Sequence, residues 1–262
     1  MKKVKEIVCI VIVTLITLSS CTTESIGPEL MLKKIVEVSV DGSSSNTNLN
    51  YNGNKIVNID KVDVLLEFYY TGDLITKIVE FNKLASHKNT LEYSYSDGKL
   101  TKIISSDGYV INYIHNNDGT ISYEKRSKEA ANLEVKIYHG VLSFQNGNLI
   151  KDDQILDNTG NGILSKKEIS LGYDNTQNPL NNIVGFSKLL NYQQAISLNN
   201  NVVYVESSTV QLINDDQIIS SIKRSDSKYQ YNSNGYPTEI VSEKIIFGDT
   251  DSKHLKSQLF YN

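Results

Sequence analysis

The sequence predicts an all-β fold: a curled or closed antiparallel sheet of consecutive β-hairpins, barrel-like but not membrane-spanning, with one or two short helices. Three observations carry this. The 262 residues include 16 tyrosines, no tryptophan and only 3 prolines, with abundant asparagine. Tyrosine and β-branched residues suit half-buried pleated surfaces, and asparagine and glycine suit tight turns. Apolar and polar residues alternate with period two, as in Val36, Val38 and Val40 against Glu37 and Ser39. Finally, one short pattern recurs along the chain: an aromatic residue, polar residues, Asn or Asp with Gly, then an aliphatic residue.

The N-terminus has the form of an export signal. Lys2, Lys3 and Lys5 precede an apolar run, Ile7 to Leu18, that is shorter than the roughly 20 residues a spanning helix needs. The run ends in "LSSC", Leu18 to Cys21. This resembles the lipobox of bacterial lipoproteins, an aliphatic residue and two small residues before a cysteine. The resemblance implies that residues 1–20 are a signal peptide and that Cys21 is lipidated and becomes the first mature residue. Residues 21–34 then form a tether, and residues 35–262 a single antiparallel β domain. The other cysteine, Cys9, would leave with the signal, so the mature chain would have no disulfide. Removing Lys2, Lys3, Lys5 and Glu6 from 26 basic and 30 acidic residues leaves a net charge of −6. Such a balance offers no basic face to nucleic acid or anionic lipid. Membrane attachment would come from the acyl chains, two or more of which anchor stably.

Hairpins follow in order. They include "LNYNGNKIVNI" (Leu49 to Ile59), "LEFYYTGDLITKI" (Leu66 to Ile78), "LEYSYSDGKLTKI" (Leu91 to Ile103), "INYIHNNDGTISY" (Ile111 to Tyr123), "LSFQNGNLI" (Leu142 to Ile150), "LGYDNTQNPLNNI" (Leu171 to Ile183) and "YQYNSNGYPTEI" (Tyr229 to Ile240). In the third, Leu91, Tyr93 and Tyr95 share a face, and Asp97-Gly98 supplies the positive φ of a tight turn. Leu100 and Ile103 are three apart, which requires either a β-bulge or a strand apolar on both faces. Roughly fourteen strands would overload one flat sheet, so the sheet curls or closes. Unequal spacing of the turn glycines argues against a solenoid. A spanning barrel would need an apolar outer face, but the face opposite the tyrosines carries Glu, Ser, Lys, Thr and Asn.

Two segments break the pattern. "KRSKEAANLEV", Lys125 to Val135, reads as a short helix or an extended loop. "NPLNNIVGFSKLLNYQQAISLNNN", Asn178 to Asn201, places Ile183, Phe186, Leu189, Leu190 and Ala195 near helical spacing, and reads as a short helix that plugs or caps the sheet.

Together, the lipobox, "LGYDNTQNPLNNI", "SLNNNVVYVE" and "YQYNSNGYPTEI" resemble the outer-membrane lipoproteins of Bacteroidetes-type bacteria that share a domain of unknown function with a porin-like fold. The resemblance spans roughly residues 35–262. It implies a barrel-like domain on the cell envelope, lipid-anchored to the outer membrane, and it supplies no activity.

Few residues suggest chemistry. "DNTGNGILSKKE", Asp157 to Glu168, has the spacing of a calcium loop, with Thr159 at the third position in place of a carboxylate or amide; strand-like flanks favour an ordinary hairpin loop. His87, His115, His139 and His254 lack metal-ligand spacing. Asp152-Asp153 and Asp215-Asp216 read as solvated turn charges. Neither a cofactor nor a catalytic residue is expected. The function expected is a non-enzymatic binding or structural lipoprotein with a glycan or protein ligand; the alternative is a hydrolase of envelope polymers.

Overall fold

The computed structural model describes residues 30–128, 134–157, 163–193, 195–212, 217–246 and 253–262. Its strands are β1 (Leu32–Ser39), β2 (Ser44–Asn52), β3 (Lys55–Asp60), β4 (Val64–Thr71), β5 (Leu74–Asn82), β6 (His87–Ser96), β7 (Lys99–Ser105) and β8 (Tyr109–His115). They continue as β9 (Ile121–Lys128), β10 (Glu134–Gln145), β11 (Asn148–Leu156), β12 (Ile163–Gln177), β13 (Asn199–Leu212), β14 (Ile218–Tyr231), β15 (Pro237–Ile246) and β16 (Lys253–Tyr261). Each pairs antiparallel with its chain neighbours, and β16 pairs with β1, which closes a barrel. The two ends of the meander meet where the Asn262 side chain accepts from the Met31 N–H at 2.7 Å. Strand β1 begins at Leu32, inside the stretch expected to be tether.

The recurrent pattern is one descending strand, a tight turn and one ascending strand. Its turns, at Gly53, Gly72, Gly98, Gly119, Gly147 and Gly235, therefore all fall on one rim, called the near rim here. Leu30 and Asn262 lie on the same rim. At the third hairpin Asp97 (φ 50) and Gly98 (φ 71) take the left-handed conformation of the turn. Just beyond it the register shifts: Ser94 faces Lys102, whereas Tyr95 faces Leu100. Thr101 is thus the extra residue of a β-bulge. The bulge turns Leu100 and Ile103, three apart, to the same inner face, each 1% exposed. Equivalent shifts bring Ile56 with Ile59, and Ile75 with Ile78, into the interior.

The aromatic residue of each pattern also has a defined place. Near the foot of a descending strand, its polar tip bonds backbone at the foot of the preceding ascending strand. The hydroxyl of Tyr51 donates to the Leu32 carbonyl, that of Tyr173 to Leu149, that of Tyr229 to Asn201 and that of Tyr261 to Pro237, at 2.6–2.7 Å. In β8 a histidine takes the position, and His115 Nε2 donates to the Leu100 carbonyl at 2.9 Å. In β10 the position holds Phe144, which has no polar tip.

The outer wall carries many polar and charged side chains among apolar ones. One circumferential row, followed strand to strand, reads Tyr69, Lys77, Glu92, Ile104, Val110, Arg126, Lys136. The adjacent row reads Ser94, Lys102, Asn112, Glu124, His139, Ile155, Lys166, Thr209. Alternation sends the neighbours of these residues, such as Ile78, Leu91, Ile103 and Tyr113, into the core.

Between β12 and β13 the chain leaves the wall and enters the barrel. It contains two 3-10 turns, Pro179–Asn182 and Phe186–Lys188, rather than an α-helix. Asn178 caps the first by accepting from the Leu180 N–H at 3.0 Å. Left-handed Gly185 (φ 75) starts the second, with Asp73 backbone so close that a Cβ would lie 2.7 Å from its carbonyl oxygen. Ile183, Phe186, Leu189, Ala195 and Ile196 are buried in one core cluster with the inner face of the wall. Phe186 meets Phe68 edge-on, centroids 5.7 Å apart. Polar clamps fix the plug. Tyr70 donates to the Val184 carbonyl, Asn191 to the Tyr93 hydroxyl and Tyr192 to the Glu80 carboxylate, at 3.0–3.2 Å. The other segment expected to be a helix or loop is extended where described: Lys125 to Lys128 belong to β9, and Glu134 opens β10.

Candidate functional site

The plug fills one side of the lumen with apolar side chains and leaves the other side partly open. There a cavity of about 470 Å³ lies between the plug and the inner faces of β12–β16 and β1. The alternation of β13–β16 decides its chemistry, because several inward positions of β14–β16 are small and hydroxylated. Ser225, Ser227, Ser242 and Ser257 line one wall, with the ring of Tyr204, the cross-strand partner of Ser225, beside them and that of Tyr173 on the next strand. Tyr229, Ile35, Ile240, Leu255 and Leu259 supply apolar area, and Asn199, Asn200, Asn201 and Gln193 supply amides. Pro179, Leu180 and Ser197 of the plug close the near-rim side.

Several of these groups hold one another in place. Ser197 donates to the Tyr173 hydroxyl at 2.8 Å, and the hydroxyls of Ser227 and Ser242 are 2.8 Å apart. Tyr204 donates to Glu206, which also takes Lys223 at 3.0 Å. Burial works to raise the Glu206 carboxyl, but the bonds from Lys223 and Tyr204 outweigh it and hold it below the usual range. Burial pushes the Tyr204 and Tyr229 phenols up, so both are neutral donors at physiological pH. Among the described residues, Ser225 and Ser257 carry no hydrogen bond and face the cavity. The only carboxylate among the lining residues is Glu37.

A second, smaller cavity of about 200 Å³ lies between the plug and β8–β12. Its carboxylate is Asp152, 6% exposed, which accepts from the Tyr123 hydroxyl at 2.6 Å and from Gln193 Nε2 at 2.8 Å. Burial raises its pKa, opposed by the Tyr123 bond and the charge of Lys167. The sequence reading made Asp152-Asp153 a solvated turn pair. Both lie within β11, where adjacent residues face opposite ways, so Asp152 points inward and Asp153 outward to Lys151. Asp215 and Asp216 lie outside the described residues.

The remaining sequence candidates are scattered. Cys21 lies outside the described residues, as do Thr159, Asn161 and Gly162 of the calcium-like loop. The ends of that loop are held apart: Asp157 pairs with His139 at 2.7 Å, and Glu168 with Lys151 at 3.1 Å. Leu156 faces Ser165 and Asp153 faces Glu168, so Asp157 and Glu168 are about four strand steps, roughly 13 Å, apart. They cannot share one cation. His87 pairs with Asp107 on the surface, and the side chain of His254 lies outside the described residues. No group of three metal-ligating side chains occurs among the described residues.

Comparison with known proteins returns the fold alone. No protein-family model matches the chain, and no curated protein matches it. Among solved structures it is similar to a porin-like protein from Bacteroides uniformis, with a TM-score of 0.52 and 10% sequence identity over 88% of this chain and 96% of that one. The chain is therefore a closed antiparallel β-barrel that shares its architecture with a porin-like protein of Bacteroides.

Proposed function

We propose that this is a lipid-anchored envelope protein that binds a small neutral polar ligand of the saccharide class in its lumen, without chemical turnover. The cavity of about 470 Å³ carries this reading. Tyrosine rings give flat apolar contact to sugar faces, and serine hydroxyls and amides give convergent hydrogen bonds. The lipobox-like "LSSC" supports anchoring through Cys21. The outer rows support a barrel that sits outside the hydrocarbon. Lysine or arginine facing lipid costs about 2–4 kcal/mol at the bilayer midplane and less toward the interfaces, and the outer face presents Lys77, Lys102, Lys166 and Arg126 at different heights. A chain that enters the wall at Leu32 hangs the near rim toward the membrane and turns the far rim outward.

Hydrolysis of an envelope polymer is the weaker reading, because each cavity contributes a single carboxylate, Glu37 or Asp152, rather than a facing pair. Thermal-shift titration of the full-length protein in detergent against mono- and oligosaccharides tests the proposal. Saturable stabilisation that disappears in Ser225→Phe, which fills the cavity, is the expected result. A flat response across the panel overturns it, and release of shortened saccharides would move the assignment to the hydrolase.

A further inference from the structure

We propose that the smaller cavity, between the plug and β8–β12, is a separate binding site for a free α-amino acid with a small side chain. It does not depend on the saccharide reading, and its groups are of a different kind. Three tyrosine rings, Tyr113, Tyr123 and Tyr138, line it in sequence, with centroids 6.2 and 6.1 Å apart. Asp152 sits at the hydroxyl end of Tyr123. Each of its oxygens accepts one bond from the protein, to Tyr123 or Gln193, and a carboxylate oxygen has room for a second. A buried carboxylate in a cavity lined by aromatic rings is an environment that receives an ammonium group. The chain provides its own precedent next door, where Lys125 Nζ lies 3.7 Å from the Tyr109 centroid and 5.8 Å from that of Tyr138.

An ammonium alone would leave one lining group unexplained. Lys167 opens onto the same cavity from β12. It faces Gln154, two residues along from Asp152, which sets the two residues on a cross-strand diagonal, their positions roughly 7–8 Å apart. Among the described residues Lys167 makes no direct ion pair, although its charge is felt by the Asp152 and Glu206 carboxylates. Opposite charges therefore flank the cavity without meeting. A ligand that carries an ammonium and a carboxylate on one carbon bridges such a gap: the ammonium on Asp152 and the rings, the carboxylate on Lys167 and the Asn191 amide. Ile111, Leu142 and Leu190 form the apolar remainder, and the volume of about 200 Å³ limits the side chain to a small one.

Isothermal titration of the full-length protein in detergent with L-alanine, N-acetyl-L-alanine and L-alaninamide tests this. Alanine should bind, and each derivative, having lost one charge, should bind at least about tenfold more weakly. Asp152→Asn and Lys167→Gln should each abolish alanine binding, while Ser225→Phe in the larger cavity leaves it intact. Lys167→Gln is the safer of the pair for folding, since Asp152 and Glu206, which feel its charge, keep their own hydrogen-bond partners. No heat with alanine, alaninamide binding as tightly as alanine, or alanine binding that survives Lys167→Gln would each overturn the assignment.

Discussion

The hydroxyl of Tyr95 donates to the carbonyl of Ile75 at 2.8 Å, across the seam between β6 and β5. The bulge at Thr76 leaves that carbonyl at the foot of β5, beside the register shift between Tyr69 and Tyr70. The bond is the unit of a ring of such bonds at the near rim, and it ties the turn of one hairpin to the turn of the next. Tyr95→Phe removes only the hydroxyl. It should cost about 1 kcal/mol, read as a lower denaturant midpoint with unchanged slope. Phe144 at the matching place in β10 shows that the barrel accommodates one such loss.

Two glycines separate conformational strain from contact. Gly98 has positive φ but open space around its Cβ position. Gly185 has positive φ and the Asp73 carbonyl 2.7 Å from that position. Gly98→Ala should cost about 1 kcal/mol, the price of left-handed backbone alone. Gly185→Ala should cost clearly more and displace the plug from the β4–β5 turn. Chemical denaturation of both variants, side by side, checks the ordering.

Phe186 is 3% exposed and meets Phe68 at the centre of the plug contact. Phe186→Ala should destabilise by about 3–5 kcal/mol and raise protease sensitivity between β12 and β13. An unchanged midpoint would mean that the plug contributes little to holding the barrel.

High pH should unfold the protein through its phenols. Burial raises the Tyr70 pKa from 10.0 to about 12, and it pushes up Tyr51, Tyr95, Tyr229 and Tyr261 as well. In each the folded state holds the proton more tightly than the unfolded chain. The stabilisation is therefore fully present below pH 10 and is lost as pH rises through the folded values. Tyrosinate absorbance, clean in a chain without tryptophan, should rise together with loss of β-sheet circular dichroism rather than before it.

If the anchor proposed above holds the protein on the membrane, Cys21→Ser should move it from the membrane fraction to the soluble fraction on cell lysis. Retention in the membrane fraction would point to a partner or to insertion of the barrel itself.

The fold was legible where one face of a strand is buried. Leu91, Tyr93 and Tyr95 alternate with polar residues because the core takes one side of β6. The bulge was legible only as a choice, since an i, i+3 apolar pair fits two geometries and the register alone decides. Strands β13 and β14 carry little alternation, as in "IISSIKRSDSKYQY", because β14 is exposed along much of both faces; this is one reason the count came out low. The plug was legible from its apolar residues and its bounds, but its 3-10 turns follow from contacts with the wall and not from helical spacing. The larger cavity was not legible. Its serines look like ordinary surface alternation until the sheet closes and makes that face an interior. Asp152 was misread for a related reason: a charged pair in a polar stretch resembles a turn unless the strand through it is seen.

The closed meander also has a kinetic consequence. Every seam but one joins strands adjacent in the chain, and apart from β12–β13, which the plug separates, each can zip from its own turn with little loop to close. The exception joins β1 to β16, where Met31 and Asn262 are 231 positions apart. Nearly the whole chain must be ordered before that seam can form, so it carries the largest loop-closure entropy. Assembly of the ring should end there, and hydrogen exchange at β1 and β16 should report the first opening of the native barrel.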